Sequence, residues 1–210
     1  ALPASGCALT DATEGEALMG QGDAHLRETC VAREVTEQGM FLQWCRDRIR
    51  LPDGREAHRE FVVHPGAVMI VARLPDGRFV MERQFRYPVG MTMIEFPAGK
   101  LDHGEGGLAC AQRELLEETG YRAGKLAKAG VLHPTIGYAT EVIEIWLADD
   151  LVAGDRQLDD GEFLDVFAAS LPELEQWMLD GRLTDAKTIV GMMWVQKWLA
   201  GQCQLAWVSL

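Results

Sequence analysis

Positive charge is scarce in this chain of 210 residues, which has 20 Lys and Arg against 32 Asp and Glu. The formal net charge of −12 would repel nucleic acids and anionic membrane surfaces, so we expect neither as a partner. The sequence also lacks an apolar run long enough for a membrane span, an internal repeat and a low-complexity tract. The composition is typical of a globular protein, and the net charge does not exclude a small anionic substrate, because a local basic pocket with a metal can override the net field.

Cysteine is also sparse, with five residues scattered along the chain and no close pair. An odd and scattered set argues against a disulfide framework and against a zinc site, so we expect reduced thiols and a cytoplasmic location. Residues 1–24 are small, acidic and without a sustained period, and we expect them to form a loosely ordered leader.

Hydrophobic residues make up 48% of the chain, which is enough for a substantial core. Alternating apolar residues around a Pro-Asp-Gly turn predict a small antiparallel sheet over residues 25–64. In the later strand 78–87, Phe79 and Met81 are expected to face the core, and Phe85 is a further candidate. Further strands are predicted at 67–74, 91–96, 126–133, 141–148 and 163–168. Helices are predicted before Gly120, after Ser170 and after Thr184 or Asp185. The pattern indicates an α+β protein.

The segment from Gly99 to Tyr121 joins a glycine-rich loop to a helical run that is dense in charge. Because residues three and four apart are neighbours on a helix, Glu114 faces Glu117 and Glu118. Three acids on one helical surface repel each other unless a cation lies among them, and hard dications prefer oxygen ligands. We therefore predict a site for Mg²⁺, with Mn²⁺ as an alternative, and substrate phosphates as further ligands. The alternative is an exposed acidic helix without a site.

The same segment matches a known motif. The chain resembles Nudix hydrolases, because every defined position of the Nudix box is filled, by Gly99, Glu105, Arg113, Glu114, Leu115, Glu117, Glu118, Gly120 and Tyr121. The flanking segments 59–68 and 83–99 resemble the ADP-ribose (ADP-sugar) pyrophosphatase subfamily. The resemblance implies an α/β/α sandwich around a mixed sheet, formed by a catalytic domain at residues 65–210. It also implies a homodimer that pairs through the N-terminal sheet.

The resemblance further implies metal-dependent hydrolysis of ADP-ribose or a related ADP-sugar to AMP and a sugar phosphate. The implied metal ligands are the Ala98 carbonyl oxygen and the carboxylates of Glu114, Glu117, Glu118 and Glu162. The implied catalytic residues are Glu162, Glu141, Glu117, Arg113 and Glu105. The implied substrate-binding residues are Arg59, Glu60 and Arg86. Glu162 and Glu141 compete for the role of catalytic base, and Arg113 is expected to pair with Glu105 and brace the loop.

One position departs from the subfamily. Ile136 stands where the ADP-ribose enzymes usually have a proline, and Pro134 lies two residues earlier. This difference keeps a second substrate class open, namely GDP-mannose, UDP-glucose or a dinucleoside polyphosphate. A third reading is a non-catalytic sensor of ADP-ribose, but such a module would be expected to lose acids of the box, and this chain retains them all.

Overall fold

A computed structural model describes residues 22–158 and 160–210, so residues 1–21 of the expected leader lie outside the described part. The α-helices of the described part are α1 (Gly107–Thr119), α2 (Leu171–Leu179) and α3 (Ala186–Leu199). Its strands are β1 (Thr29–Gln38), β2 (Gln43–Arg50), β3 (Glu56–Val63), β4 (Ala67–Ala72), β5 (Phe79–Arg86), β6 (Met91–Glu95), β7 (Ala98–Lys100), β8 (Tyr121–Arg122), β9 (Lys125–Leu132), β10 (Ile143–Asp149), β11 (Val152–Ala153), β12 (Leu164–Ala169) and β13 (Val208–Ser209).

The chain divides into two compact units. The first takes the described residues up to His64 together with Thr135–Thr140. Its framework is the antiparallel sheet β1-β2-β3. The segment Thr135–Thr140 is tied to β3 by two backbone hydrogen bonds. The Val62 N–H donates to the Tyr138 carbonyl oxygen at 2.9 Å, and the Thr140 N–H donates to the Val62 carbonyl oxygen at 2.9 Å.

The second unit, Pro65–Pro134 with Glu141–Leu210, is built on a mixed five-stranded sheet in the order β13-β9-β10-β4-β7. Strand β4 is parallel to β10 and antiparallel to β7. A second, antiparallel sheet has the order β12-β5-β6, with β5 in the middle.

Strand β4 is buried along its whole length because both faces of the mixed sheet are covered. Met69 and Val71 join a core cluster that includes residues of α2 and α3. Val68 and Ile70 point the other way, into a cluster that contains Leu115 and its neighbours on α1. Because side chains alternate along a strand, one continuous apolar run contributes side chains to the core on both faces of the sheet. The expected α/β/α arrangement around a mixed sheet is therefore present in this unit.

One sequence expectation was wrong. The Phe85 side chain is 57% exposed, because odd-numbered positions at this end of β5 face away from α1. Among the described cysteines, Cys45, Cys110 and Cys203 are free thiols as expected. Among the described helices, none is long and apolar enough to cross a membrane.

Candidate active site

The guanidinium of Arg113 connects helix α1 to the loop before it. Arg113 donates to both carboxylate oxygens of Glu105 at 2.9 and 2.8 Å. It also donates to Glu114 at 2.8 Å, to Glu117 at 3.0 Å and to the carbonyl oxygen of Lys100 at 3.1 Å. The pairing with Arg113 lowers the pKa of Glu105 to about 2. Arg113 therefore braces the loop against α1, as the sequence predicted, and fixes two of the acids of the helix.

Strand β7 approaches α1 so closely that the Glu114 carboxylate occupies the space beside Gly99. A Cβ atom on Gly99 would lie 1.8 Å from Cδ of Glu114, so any other residue here would force the Glu114 side chain to move. The contact holds the Glu114 carboxylate against the backbone of β7, and burial raises its pKa against the opposing effect of Arg113. At the far end of the helix, Gly120 takes the left-handed conformation with φ of 75° and ends α1.

Glu118 is the most deeply placed acid of the helix, with 4% of its surface exposed. One of its carboxylate oxygens accepts a hydrogen bond from the Ala98 N–H at 3.1 Å. Burial raises the pKa of Glu118 well above its usual range, and the negative charges of Glu82, Glu114 and Glu162 raise it further. This carboxylate is thus costly to ionise unless a cation compensates its charge.

Sequence reasoning missed Glu82, which lies near Glu118. It sits in the middle of β5 and is 3% exposed. Burial raises its pKa, and the charges of Glu162 and Glu95 add to this shift. On the same face of β5, Gln84 donates to Glu162 at 3.4 Å. The available signal was the alternation of Glu82, Gln84 and Arg86, which places three polar side chains on one face of β5.

Side chains of alternating charge surround Glu95, which lies on strand β6 of the same sheet. Arg86 donates to both oxygens of Glu95 at 2.7 and 2.9 Å, and Lys187 also contacts Glu95. Lys187 donates in addition to Asp185 at 3.0 Å. Burial would raise the pKa of Glu95, but Arg86 and Lys187 outweigh this effect and keep it below its usual value. The charges of Glu118 and Asp185 also stabilise the Arg86 cation, which places it near the acids of α1.

Three of the predicted residues belong to other elements of the chain. Arg59 and Glu60 are on β3 of the first unit, where Arg59 pairs with Glu28 and Glu60 lies 3.2 Å from Arg46. Glu141 lies just before β10 and is partly exposed. The structure thus brings together the acids of α1, Glu162 and Arg86 within the second unit, and it adds Glu82, Glu95 and Lys187.

The donor set fits a hard divalent cation in its chemistry. Carboxylates of Glu82, Glu114, Glu118 and Glu162 repel one another, as their mutual effects on the pKa of Glu118 indicate. In the described part of the chain, no three Asp, Glu, His or Cys side chains already enclose a metal position. Magnesium commonly binds through only one or two carboxylates together with water and substrate phosphate, so an incomplete protein cage suits that ion.

Comparison with known proteins gives consistent matches. The sequence model of the NUDIX domain matches residues 63–189. The chain is 36% identical over 181 residues to an ADP-ribose pyrophosphatase of Bacillus subtilis (strain 168), and the match covers 85% of this chain and 98% of the relative. It is 31% identical over 141 residues to a GDP-mannose pyrophosphatase of Yersinia enterocolitica, with 62% of this chain and 73% of the relative covered.

The fold is also similar to a solved structure. The crystal structure of an ADP compounds hydrolase superposes with a TM-score of 0.75 and covers 84% of this chain and 96% of that one. The two sequences are 24% identical, so this match supports the fold alone.

Proposed function

The chain belongs to the Nudix family and is a hydrolase of that family, and from this premise we propose metal-dependent cleavage of the diphosphate in ADP-ribose or a related ADP-sugar. The products would be AMP and a sugar phosphate. The observation that carries the proposal is the buried carboxylate of Glu118, held by the Ala98 N–H beside Glu114 in a complete box. The 36% identity to an ADP-ribose pyrophosphatase over most of the chain supports the choice of substrate.

Nudix hydrolases use divalent metal ions, and we propose Mg²⁺ here, with Mn²⁺ as a substitute. Glu114, Glu118 and Glu162 would hold the ion with the Ala98 carbonyl oxygen, and Glu117 would contact it directly or through water. When bound, such an ion neutralises the diphosphate and lowers the pKa of a water molecule. Arg113 keeps Glu114 and Glu117 in place through hydrogen bonds of 2.8 and 3.0 Å.

The remaining residues orient the substrate and move the proton. Arg86 supplies a fixed guanidinium next to the acids, suited to a phosphate oxygen once the substrate enters. Glu162 takes the proton from the attacking water in our proposal. Its interaction with Glu82, Glu114 and Glu118 favours it over Glu141 for this role. Arg59 and Glu60 remain proposed substrate-binding residues.

A second candidate function is hydrolysis of GDP-mannose or another nucleoside diphosphate sugar. The relative from Yersinia enterocolitica and the replacement of a typical proline by Ile136 favour it. The acids that act on the diphosphate would be the same in both cases, because the two substrates differ in the base and the sugar.

A substrate panel tests the proposal and separates the two candidates. ADP-ribose, ADP-glucose, GDP-mannose, UDP-glucose and a dinucleoside polyphosphate would be compared by kcat/KM with Mg²⁺, with Mn²⁺ and with EDTA. We expect the highest kcat/KM for ADP-ribose or another ADP-sugar and no turnover in EDTA. A higher value for GDP-mannose would replace the first candidate by the second.

We also propose a cytoplasmic homodimer in which the catalytic domain spans residues 65–210 and the sheet at 25–64 makes the dimer contact. The exposed apolar side chains of Phe41 and Trp44 on that unit suit such a contact. A monomer in solution at micromolar concentration, measured by light scattering, would contradict the proposed assembly.

A further inference from the structure

Glu82 is a buried carboxylate outside helix α1, and the proposed function gives it no role. It occupies the central strand of the sheet β12-β5-β6, opposite Glu95 on one side and Val166 on the other. Only 3% of its surface is exposed. Among the described residues, its Oε1 atom is one of the buried side-chain oxygens that have no hydrogen-bond partner. A buried polar atom in this state requires a compensating group.

The cations close to Glu82 are engaged with other groups. Arg86 uses two hydrogen bonds of 2.7 and 2.9 Å on Glu95. Arg156 donates to the carbonyl oxygen of Leu164 at 2.8 Å. Both guanidinium groups act on Glu82 through their charge, but neither supplies the missing partner of Oε1 among the described contacts. Glu95 is already neutralised by Arg86 and Lys187.

The other neighbours of Glu82 are acids of the candidate active site. Along β5 the side chains of Glu82 and Gln84 share a face, and Gln84 donates to Glu162. Val80, two residues before Glu82, packs in the same cluster as Leu115 of α1, so this face is turned toward the helix. Glu118 and Glu162 both interact electrostatically with Glu82. The unpartnered oxygen therefore belongs to a side chain on the face of β5 that is turned toward the acids of the candidate active site.

We propose that Glu82 helps to hold the divalent cation, as a carboxylate from the sheet that complements Glu118 from the helix and Glu162 from the loop. This inference rests on the metal dependence in the proposed function. An ion at this place would supply the partner that Oε1 lacks and would compensate charges that repel each other in the metal-free protein.

The test is a titration of the substrate-free protein with Mn²⁺, in which free Mn²⁺ is followed by electron paramagnetic resonance. It compares the wild type with Glu82→Gln and with the control Glu175→Gln, which changes an acid on α2 whose partner is Gln196. We expect Glu82→Gln to weaken Mn²⁺ binding by roughly 10–100-fold, as is typical when a supporting group of a metal site is lost. The control should bind Mn²⁺ like the wild type.

Thermal unfolding of the same proteins without metal supplies a second measurement. We expect the Tm of Glu82→Gln to equal or exceed that of the wild type, because the substitution removes a buried charge without a partner. A second variant, Glu82→Val, removes both oxygens and should bind Mn²⁺ as weakly as Glu82→Gln.

Wild-type Mn²⁺ affinity in both variants would overturn the inference, and so would a wild-type protein that binds no Mn²⁺. Failure of both variants to fold would also contradict it, since the buried Glu82 carboxylate is proposed to destabilise the metal-free protein. Because the titration contains no substrate, it is independent of the substrate panel. A protein that binds Mn²⁺ through Glu82 but leaves every nucleotide of the panel intact would refute the proposed function alone.

Discussion

At the scale of single residues, Arg113 determines how the loop acid Glu105 behaves. Its two hydrogen bonds keep the pKa of Glu105 near 2, far below the ordinary value of about 4.3. A carboxyl group with a lowered pKa stabilises the folded state at pH values above its ordinary pKa. This stabilisation is lost as the pH falls through the folded-state value.

Replacement of Glu105 by glutamine should therefore have an effect that depends on pH. At pH 7 we expect Glu105→Gln to lower the Tm by about 2–4 °C, which corresponds to about 1 kcal/mol for a pair of this kind in a protein of this size. The Tm difference from wild type should shrink steadily from pH 5 toward pH 3. Calorimetry across this range checks it, and an equal difference at every pH would refute the assignment.

Arg86 offers a second comparison at this scale, since its strand carries a matched control. Arg86 lies on the face of β5 that is turned toward α1, whereas Arg83 pairs with Asp165 on the opposite face at 2.5 Å. Arg86→Lys keeps the positive charge beside Glu95 but loses the planar fork that binds two oxygens at once. We expect its KM for ADP-ribose to rise by about 10-fold or more, the effect of losing a charged hydrogen bond worth about 1.5–3 kcal/mol.

The control for this experiment is Arg83→Lys, which should leave KM within about 2-fold of the wild type because exposed ion pairs contribute little. Equal KM values for Arg86→Lys and the wild type would remove Arg86 from the substrate site.

At the scale of elements, the site depends on how closely strand β7 approaches helix α1. The absence of a side chain at Gly99 lets the Glu114 carboxylate rest against the strand. Gly106, at the start of the helix, has open space within 4 Å of the position that a Cβ atom would take, and its φ of −87° is accessible to any residue. The two glycines thus differ in packing although both border the same loop.

Gly99→Ala should displace Glu114 and lower kcat/KM by on the order of 100-fold, because an error of about 1 Å in a catalytic group has that effect. It should also reduce stability by about 1–3 kcal/mol through overpacking. Gly106→Ala should leave kcat/KM unchanged and reduce stability by less than Gly99→Ala, because it displaces no side chain and only weakens the N-cap of α1. Steady-state kinetics and thermal unfolding of both variants provide the comparison, and similar behaviour of the two would contradict the packing argument.

The elements that could be predicted from the sequence are those with local signals. Ser170 and Glu173 form the capping box that their spacing indicates, and Asp185 caps α3 by accepting from the Thr188 N–H. The pairing of Arg113 with Glu105 also followed from the motif. These features depend on residues close together in the chain.

Features that depend on tertiary packing could not be predicted in this way. The burial of Glu82 follows from α1 covering one face of β5, whereas the alternation of polar residues along the strand indicates a shared face but not its burial. The contact of Lys187 with Glu95 joins residues that are 92 positions apart. The exposure of Phe85 also depends on tertiary packing, because helix α1 does not cover its face of β5.

At the scale of the whole molecule, an acidic chain with a net charge of −12 carries a site for an anionic substrate. The field of the protein would repel a diphosphate, so local cations must reverse it. Arg86 and Lys187 are shared with Glu95 and Asp185, and within the described site they cannot by themselves neutralise four further acids. In the proposed function, a divalent ion would make substrate binding and hydrolysis compatible with this charge.

The release of AMP from ADP-ribose tests this central claim most directly. The wild type and Glu118→Gln would be assayed with Mg²⁺ and with EDTA, and folding of the variant would be checked by its Tm. We expect AMP from the wild type with Mg²⁺, none with EDTA, and a rate lower by roughly 10²–10³-fold or more in Glu118→Gln, the loss typical of one preorganised electrostatic group. AMP release by the wild type in EDTA, or near-full activity of folded Glu118→Gln, would contradict the account.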